Sequence, residues 1–408
     1  MNIAVLALVL MRARAAVALS AIPPPRTLSP TACSDWRQCP HMYRLKHIEK
    51  RPQAPSTALE RGIAVHAALE RLFDAPPAGR SLAAAEDLLR EAWGARRTEA
   101  LLEELFGDAA DGDAAAGAGD GDADARAARR LVRERRWGLD ALAMLARYFE
   151  MEAPAELAPR AREKRFRVAL DAPSDGAPPS AAPLVVTGVL DRLDDADDGG
   201  LCVVDYKTGK APGGARSYGP ATDARIAREK WFALRVYALL WKRSQGAAGA
   251  AAAAPPPVSR LRLIYLGDEA GAVEHVTPLA AALDGGARAP ATAADARAAA
   301  DAVLAATEDE LRAVWAEIVD ACARDAFEPR TSKLCDYCSF RGECPAFGAA
   351  PEQPDAAEAQ QEEGAEARAL AALTLAVLRE RCRAEKLKVS GRKADLVERL
   401  VAASGRRP

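Results

Sequence analysis

The sequence has few aromatic residues and no long apolar run. Phenylalanine, tryptophan and tyrosine make up 5% of its 408 residues, and much of the chain is rich in alanine. No segment offers the ~20 consecutive apolar residues that a membrane-spanning helix needs, so we expect no membrane partner. The formal net charge is only -2, and therefore no overall field favours a polyanionic partner.

The first 26 residues contain no acidic side chain, although Arg12, Arg14 and Arg26 are present. A secretory signal would place its positive charge ahead of the apolar region, and here the order is reversed. The composition of residues 1–26 therefore favours an organelle transit peptide, mitochondrial or chloroplast, over a disordered leader. Without such a leader, we expect a nuclear or cytoplasmic protein.

The cysteines lack the distribution of a small secreted disulfide framework. Cys335, Cys338 and Cys344 form a C-x2-C-x5-C pattern, which is typical of metal ligation. A tetrahedral site needs a fourth ligand. Cys39 is favoured because proline follows it, as proline follows Cys344, and Cys33 is the competitor. Spacing alone does not separate an iron–sulfur cluster from Zn²⁺, and a disulfide is the weaker interpretation in a reducing compartment.

Strands and helices alternate over residues 27–348. A first helix begins with Ser29 as cap and Pro30 at its first position. Further helices are predicted for ALERGIAVHAALERLF, for about Arg126 to Met151, for REKWFALRVYALLWKR and for Ala293 to Asp325. Strands are predicted for EKRFRVAL, PLVVTGVLDRLD, LCVVDYKT and LRLIYLG, and the second and third of these form a β-hairpin around DADDGG.

The hairpin carries charged side chains where its strands end. Residues two apart in a strand point the same way, so Asp205 and Lys207 project from one face and Tyr206 from the other. Asp191 ends the preceding strand and can lie close to both. Paired carboxylates bind hard divalent cations, and a neighbouring lysine can stabilise charge on a phosphoryl group. An isolated D-x-K, however, is more often a surface ion pair.

Four segments in order resemble the RecB-type PD-(D/E)XK nucleases. GVLDRLD followed by VVDYKTG resembles motifs II and III of that family, and GIAVH resembles its histidine-bearing helix, here with His66. REKRFRVAL places Glu163 where the family often has a glutamate ahead of a strand. WFALRVYALL resembles the helix with Q-x-x-x-Y: Tyr237 is its aromatic, but Ala233 replaces its glutamine. Alone, His66 would more often be a satisfied buried histidine and Tyr237 a core residue.

The resemblance implies a restriction-endonuclease-like α/β fold, with a central mixed sheet flanked by helices. It implies a phosphodiester hydrolase that uses Mg²⁺ or Mn²⁺, with a metal held by His66, Asp191 and Asp205. Lys207 would be the catalytic lysine, with Tyr237 beside it. The cysteine pattern resembles that of AddB-type helicase-nucleases, which implies a [4Fe–4S] cluster, with Zn²⁺ as the rival, on Cys39, Cys335, Cys338 and Cys344.

The C-terminal end is a basic segment behind an acidic linker. The linker is assigned to residues 349–370, and from Leu373 onward ten Lys/Arg face four Asp/Glu. Residues 371–404 resemble a SAP DNA-binding motif, two short helices joined by a turn at Gly391. Phosphate contacts are expected from Lys388, Arg392, Lys393 and Arg399. The alternative is a basic helix pair that docks on a protein.

These expectations describe a DNA nuclease, and by the resemblance an exonuclease on single-stranded DNA in DNA repair or recombination. Since no Walker A loop is present, a helicase or other repair partner would act in trans. Two alternatives stay open. One is a degenerate nuclease fold that serves as a DNA-binding scaffold, with Ala233 as its first sign. The other is a zinc-stapled DNA-binding domain.

Overall fold

The structure is a computed structural model that describes residues 22–108, 123–170, 184–213, 219–246, 256–283, 292–348, 370, 374–384 and 387–404. The expected leader and acidic linker lie almost wholly outside these residues, as does most of the acidic stretch that follows Gly107. The chain divides into two units, Met1–Phe340 and Arg341–Pro408.

The first unit combines helices with five strands. Its described α-helices are α1 (Pro30–Gln38), α2 (Pro40–Tyr43), α3 (Thr57–Leu72), α4 (Leu82–Arg96), α5 (Glu99–Phe106), α6 (Ala123–Met151), α7 (Pro220–Gly246) and α8 (Ala293–Arg324), and a π-helical turn spans Arg44–Ile48. Its strands are β1 (Ala161–Leu170), β2 (Leu184–Asp195), β3 (Leu201–Lys207), β4 (Val258–Tyr265) and β5 (Val273–Pro278).

The predicted helices and strands are confirmed, and so is the start of α1. The Ser29 side chain accepts a hydrogen bond from the Ala32 amide at 3.1 Å, and Pro30 occupies the first helical turn. Helices α4 and α5 and strand β5 were not predicted from the sequence. Helix α4 is rich in alanine, α5 has only eight residues, and β5 is a half-buried edge strand whose alternation is brief.

The five strands form one mixed sheet in the order β1-β2-β3-β4-β5. All neighbours are antiparallel except β3 and β4, which run parallel. The predicted hairpin joins β2 to β3, and α7 provides the crossover between the parallel strands. A mixed sheet flanked by helices is therefore the observed architecture, as the sequence predicted.

Strand β3 is buried on both faces, which explains its continuous apolar sequence. Leu201 and Val203 belong to the core that includes residues of α7 and α8. Cys202, Val204 and Tyr206 belong to the core on the opposite face, which includes residues of α3, α4 and α6. The strand is thus held between two helical layers, and its end is placed firmly at the edge of the core.

The second unit contains a small helical core of its own. Helices α9 (Leu375–Ala384) and α10 (Lys393–Ser404) enclose Leu378, Cys382, Leu396 and Leu400. Gly391 adopts φ 131° in the turn between them, a conformation that side chains rarely adopt. Among the described helices of either unit, none combines the length and apolar character needed to cross a bilayer.

Candidate active site

Two carboxylates meet where β2 and β3 run side by side. Asp191 was predicted to end its strand, but β2 continues to Asp195, so Asp191 lies inside the strand. Its Oδ2 accepts a hydrogen bond from the backbone N–H of Tyr206 at 2.9 Å. Asp205 precedes that tyrosine on β3 and is only 3% exposed. The hydrogen bond fixes the rotamer of Asp191 against the end of β3, which brings the two predicted metal ligands to one corner of the sheet.

Helix α3 contributes the predicted histidine to this corner. His66 Nδ1 lies 3.4 Å from Asp191 Oδ2, and the imidazole packs edge-on against Tyr206 with 6.0 Å between ring centroids. One turn earlier, Gly62 brings the helix close to the end of β3, because a Cβ there would lie 3.3 Å from Thr208 Oγ1. The glycine of GIAVH therefore allows the approach that delivers His66.

The structure adds Glu163 to the site. Ligand atoms of His66, Glu163 and Asp191 lie within 4.8 Å of one another. Glu163 lies inside β1, between the pairs that Arg162 and Lys164 make with β2, and it has φ 42°. Such a backbone conformation is unusual for a non-glycine residue and is found at functional sites. The family resemblance pointed to Glu163, but the proposed ligand set had omitted it.

The carboxylates of this group repel one another. Burial, and next the charge of Asp205, raise the pKa of Asp191 to about 6. Burial, followed by the charges of Asp191 and Glu70, raises the pKa of Glu163 to about 7. An imidazole nitrogen and carboxylate oxygens suit a divalent cation such as Mg²⁺ or Mn²⁺. A bound cation would relieve this repulsion, so the donor set fits the expected metal.

Lys207 follows on β3 and contacts the Asp205 carboxylate. Burial alone would lower the pKa of Lys207, but the negative charges of Asp205 and Asp191 raise it above its ordinary value. The ammonium is therefore charged at neutral pH and acts as a hydrogen-bond donor. Asp205 is not among the three closely grouped ligands, and its role as a metal ligand stays a prediction.

Tyr237 of α7 lies over the same carboxylates. Burial raises its pKa, and the charges of Asp205, Asp191 and Glu163 raise it further. The ring sits against Gly188 of GVLDRLD, where a Cβ would come within 3.0 Å of Tyr237 Cε1. This contact connects two of the sequence motifs, since the glycine of one makes room for the aromatic ring of the other.

A buried arginine supports the site and was not predicted from the sequence. Arg192 is 1% exposed, and its guanidinium donates to both carboxylate oxygens of Glu152 at 2.7 Å. It also donates to the hydroxyls of Tyr206, at 2.5 Å, and Tyr148, at 3.1 Å. Because Tyr206 separates Asp205 from Lys207 along β3, this network holds the end of the strand from behind.

Two of the four predicted cluster cysteines, Cys39 and Cys335, contact the backbone of the same residue, Arg330. The Arg330 amide donates to Cys39 Sγ at 3.4 Å, and the Cys335 thiol lies 3.9 Å from the Arg330 carbonyl oxygen. The competitor Cys33 lies in the apolar core, and burial raises its pKa to about 12. Thiolates ligate metals, so Cys33 is the poorer candidate. In the second unit, Cys344 is buried between two 3₁₀ turns.

The sequence profile of the PD-(D/E)XK nuclease superfamily matches residues 27–345. The chain belongs to this superfamily. The match covers the whole sheet and every element of the site described above. The superfamily assignment therefore agrees with the mixed sheet, the carboxylates of β2 and β3, and Lys207.

A second profile, that of the SAP domain, matches residues 369–403. The nuclease superfamily domain is thus followed by a SAP domain with the predicted helix pair. Lys388, Arg392 and Lys393 are exposed there. Arg399 is half-buried, and its guanidinium donates to the carbonyls of Lys388 and Ser390 at 2.7 Å each. These contacts stabilise the turn that precedes α10, so Arg399 has a structural role within the SAP domain.

Among solved structures, the nuclease chain is similar to one titled "Crystal structure of SSO0001". The two sequences are 12% identical, the match covers 81% of this chain and 90% of that chain, and the TM-score is 0.31. No curated protein matches the sequence.

Proposed function

We propose that this protein is a Mg²⁺- or Mn²⁺-dependent deoxyribonuclease that acts as an exonuclease on single-stranded DNA. The observation that carries the proposal is the grouping of His66, Glu163 and Asp191 ligand atoms within 4.8 Å, beside the Asp205–Lys207 pair at the end of β3. Membership of a nuclease superfamily and the SAP domain support DNA as the substrate.

His66, Glu163 and Asp191 would hold the cation, with Asp205 completing the site. When bound, the cation would supply Lewis-acid polarisation of a phosphoryl oxygen and lower the pKa of its water. The protein side chains provide orientation around it. The Tyr206 amide fixes Asp191, and the helix that carries His66 packs closely against the end of β3.

Lys207 has an electrostatic role in this proposal. Its raised pKa keeps the ammonium protonated, so it donates hydrogen bonds to the phosphoryl oxygens and stabilises the charge that grows on them. Tyr237 also stays protonated because its pKa is raised. Its hydroxyl is therefore available as a second donor at the same corner.

The test is cleavage of single- and double-stranded DNA labelled at either end. With Mg²⁺, the wild type should shorten one labelled single strand progressively, and Lys207→Ala should lose about 10²–10³-fold in rate. Lys210→Ala is the matched control, since Lys210 pairs with the exposed Glu269 on the loop between β4 and β5. If the wild type and Lys207→Ala leave DNA equally intact, the enzyme proposal fails.

The second candidate is a DNA-binding scaffold, favoured by Ala233 at the glutamine position. In that case the wild type would bind DNA without cleaving it. Ala233→Gln tests whether the glutamine alone is needed for activity, because it restores the side-chain amide of Q-x-x-x-Y at a half-buried position of α7. An increase in cleavage rate would support an active site weakened by the loss of the glutamine, whereas no cleavage by either protein would support the scaffold.

We further propose a [4Fe–4S] cluster on Cys39, Cys335, Cys338 and Cys344. Support comes from the cysteine spacing and from the shared contact of Cys39 and Cys335 with Arg330. A cluster ligated by an early and several late cysteines would close a loop nearly as long as the domain and restrict the unfolded chain. Anaerobically purified protein should be brown and contain iron. Colourless protein containing zinc would support the zinc alternative.

The proposed biological setting is DNA repair or recombination in an organelle, with a helicase supplied by another protein. The arginine-containing N-terminal segment without acidic residues supports the organelle. Fusion of residues 1–26 to a fluorescent protein tests it. Import into a mitochondrion or plastid is expected, and a diffuse signal would contradict the proposal.

A further inference from the structure

A small basic cavity lies between α1 and the N-terminal half of α7. Its volume is about 130 Å³, several times the ~30 Å³ share of one water molecule in the liquid. Ser34, Gln38 and four charged side chains contribute to its lining: Arg37, Arg225, Glu229 and Lys230. Three cations therefore face one carboxylate, and the cavity carries excess positive charge.

The cavity adjoins the candidate active site through α7. Lys230 and Tyr237 are seven residues apart, or two helical turns, so they share one side of that helix, with Ala233 between them. Burial and then the charge of Lys207 lower the pKa of Lys230, whereas Asp205 opposes that shift. The side of the helix that carries Tyr237 thus continues to Lys230, a half-buried cation.

Two of the cavity cations lack a counter-ion in the described part of the chain. Arg37 is already neutralised, because it pairs with Glu229 at 3.1 Å and Glu310 at 2.7 Å and lies over the Phe232 ring. No described carboxylate lies within ion-pair distance of Lys230 or Arg225. Both cations are half-buried, and partly buried charges are screened less than exposed ones, so an anion that enters the cavity would be stabilised.

We propose that Lys230 and Arg225 bind a backbone phosphate of the DNA strand, next to the phosphate at the metal site. This contact positions the strand at the candidate active site. The inference rests on the proposed nuclease for its substrate, but it requires only that the strand bind. A phosphate fits because it is anionic, is small enough for the cavity and recurs along every strand.

The test removes charge from the protein and, separately, from the DNA strand. Binding of a fluorescent single strand is measured by anisotropy in Ca²⁺, with an intact strand verified afterwards. The variants are Lys230→Met, which keeps most of the apolar stem, and Arg225→Ala on the half-buried edge of the cavity. Arg228→Ala on the exposed side of the same helix is the matched control. In parallel, single phosphates are replaced by uncharged methylphosphonates.

At 0.1 M salt, each cavity variant should bind about fivefold more weakly, and the slope of log K against log salt should fall by about 0.7, the value for one phosphate contact on a single strand. Arg228→Ala should match the wild type. At one position along the strand, a methylphosphonate should weaken binding to the wild type by the same factor of about five. The same replacement should not weaken binding to Lys230→Met any further. Thermal unfolding verifies that Lys230→Met is folded, and Arg225→Ala provides the result if it is not.

The inference is overturned if the binding free energies lost through the variant and through the methylphosphonate are additive at every position. It is also overturned if Arg228→Ala weakens binding as much as the cavity variants do. Its failure is distinguishable from that of the nuclease proposal. A wild type that binds with this coupling but cleaves no DNA loses only the enzyme proposal. A wild type that cleaves DNA but shows no coupling loses only the phosphate site.

Discussion

At the scale of single residues, the candidate site gathers like charges that the fold alone does not favour. The pKa of Glu163 rises from its ordinary value to about 7, chiefly through burial and the charge of Asp191. Its φ of 42° adds backbone strain. Both features are unfavourable for stability and are understandable if the residue serves a metal.

Glu163→Gln should therefore stabilise the metal-free protein above pH 7 while weakening metal binding. The unfolded pKa is near 4.5 and the folded pKa about 7, so ionised Glu163 disfavours the folded state increasingly between these values and fully above pH 7. We expect a higher melting temperature in EDTA at pH 8 and little change at pH 4.5. Glu156→Gln, at an exposed position before β1, should change neither, and a lower melting temperature for Glu163→Gln at pH 8 would contradict the assignment.

Gly188→Ala should reduce cleavage by displacing Tyr237. The new Cβ would lie 3.0 Å from the Tyr237 ring, and such overpacking costs roughly 1–3 kcal/mol. We expect a loss of stability of that size by urea denaturation, and a fall in cleavage rate in protein that is still folded. Gly94→Ala on α4 is the control, because nothing lies within 4 Å of its new Cβ and alanine favours a helix over glycine.

At the scale of elements, the end of β3 depends on a polar network beneath the sheet. Arg192 of β2 joins Glu152, just after α6, to Tyr206 of β3. Arg262 of β4 also contacts Glu152. These contacts join β2, β3 and β4 to the end of α6. The network therefore couples the packing of α6 to the position of the site.

Glu152→Leu should destabilise the nuclease unit by roughly 3–5 kcal/mol, because it removes the more deeply buried of the two carboxylates that pair with Arg192 and leaves the guanidinium with Asp194 alone. Arg192→Met with Glu152→Leu should be much closer to wild type, since apolar replacements of both partners remove the unpaired charge. Chemical denaturation of the single and double variants measures this. Equal losses in the single and double variants would exclude coupling between the two residues.

The same pair also predicts acid sensitivity. Although burial would raise it, the hydrogen bonds and charge of Arg192 lower the pKa of Glu152 below its ordinary 4.5. Its contribution is fully present above that value and is lost as the pH falls through the folded pKa. Between pH 5 and pH 3 the wild type should lose more stability than the double variant, as followed by circular dichroism.

At the scale of the whole molecule, the chain joins a nuclease superfamily domain to a SAP domain with a separate core. Each unit has its own apolar core. In the SAP domain, exposed cations and a structural arginine have different expected roles. Lys388, Arg392 and Lys393 are exposed, whereas Arg399 holds the turn.

Replacing Lys388, Arg392 and Lys393 together by alanine should weaken DNA binding without slowing the cleavage of bound DNA. Three lost phosphate contacts should reduce the salt slope on a single strand by about 2. Binding titrations and single-turnover cleavage measure the two effects. Arg399→Ala should instead loosen the SAP helices, which would be visible as broadened amide signals for this domain. An unchanged salt slope in the triple variant would favour the alternative of a protein-docking helix pair.

Local sequence pattern was sufficient for most elements. The caps, the change of period and the turn-rich DADDGG predicted α1, α3, the hairpin and the last helix, because these features act within a few residues. Elements such as α5 and β5 were missed because they are short, and packing against neighbours stabilises them more than local preference does.

The sequence by itself determined the residue types of the site and their order: a histidine on a helix, an aspartate on each strand of a hairpin, and a lysine two residues after the second aspartate. Only the tertiary structure decided that Glu163 joins them, that Arg192 supports them from behind, and that Cys33 is buried away from Cys39. The reason is physical. Strand alternation determines which way a side chain points, but distances between residues far apart in the chain, and the burial that shifts their pKa values, arise only when the sheet and helices pack together.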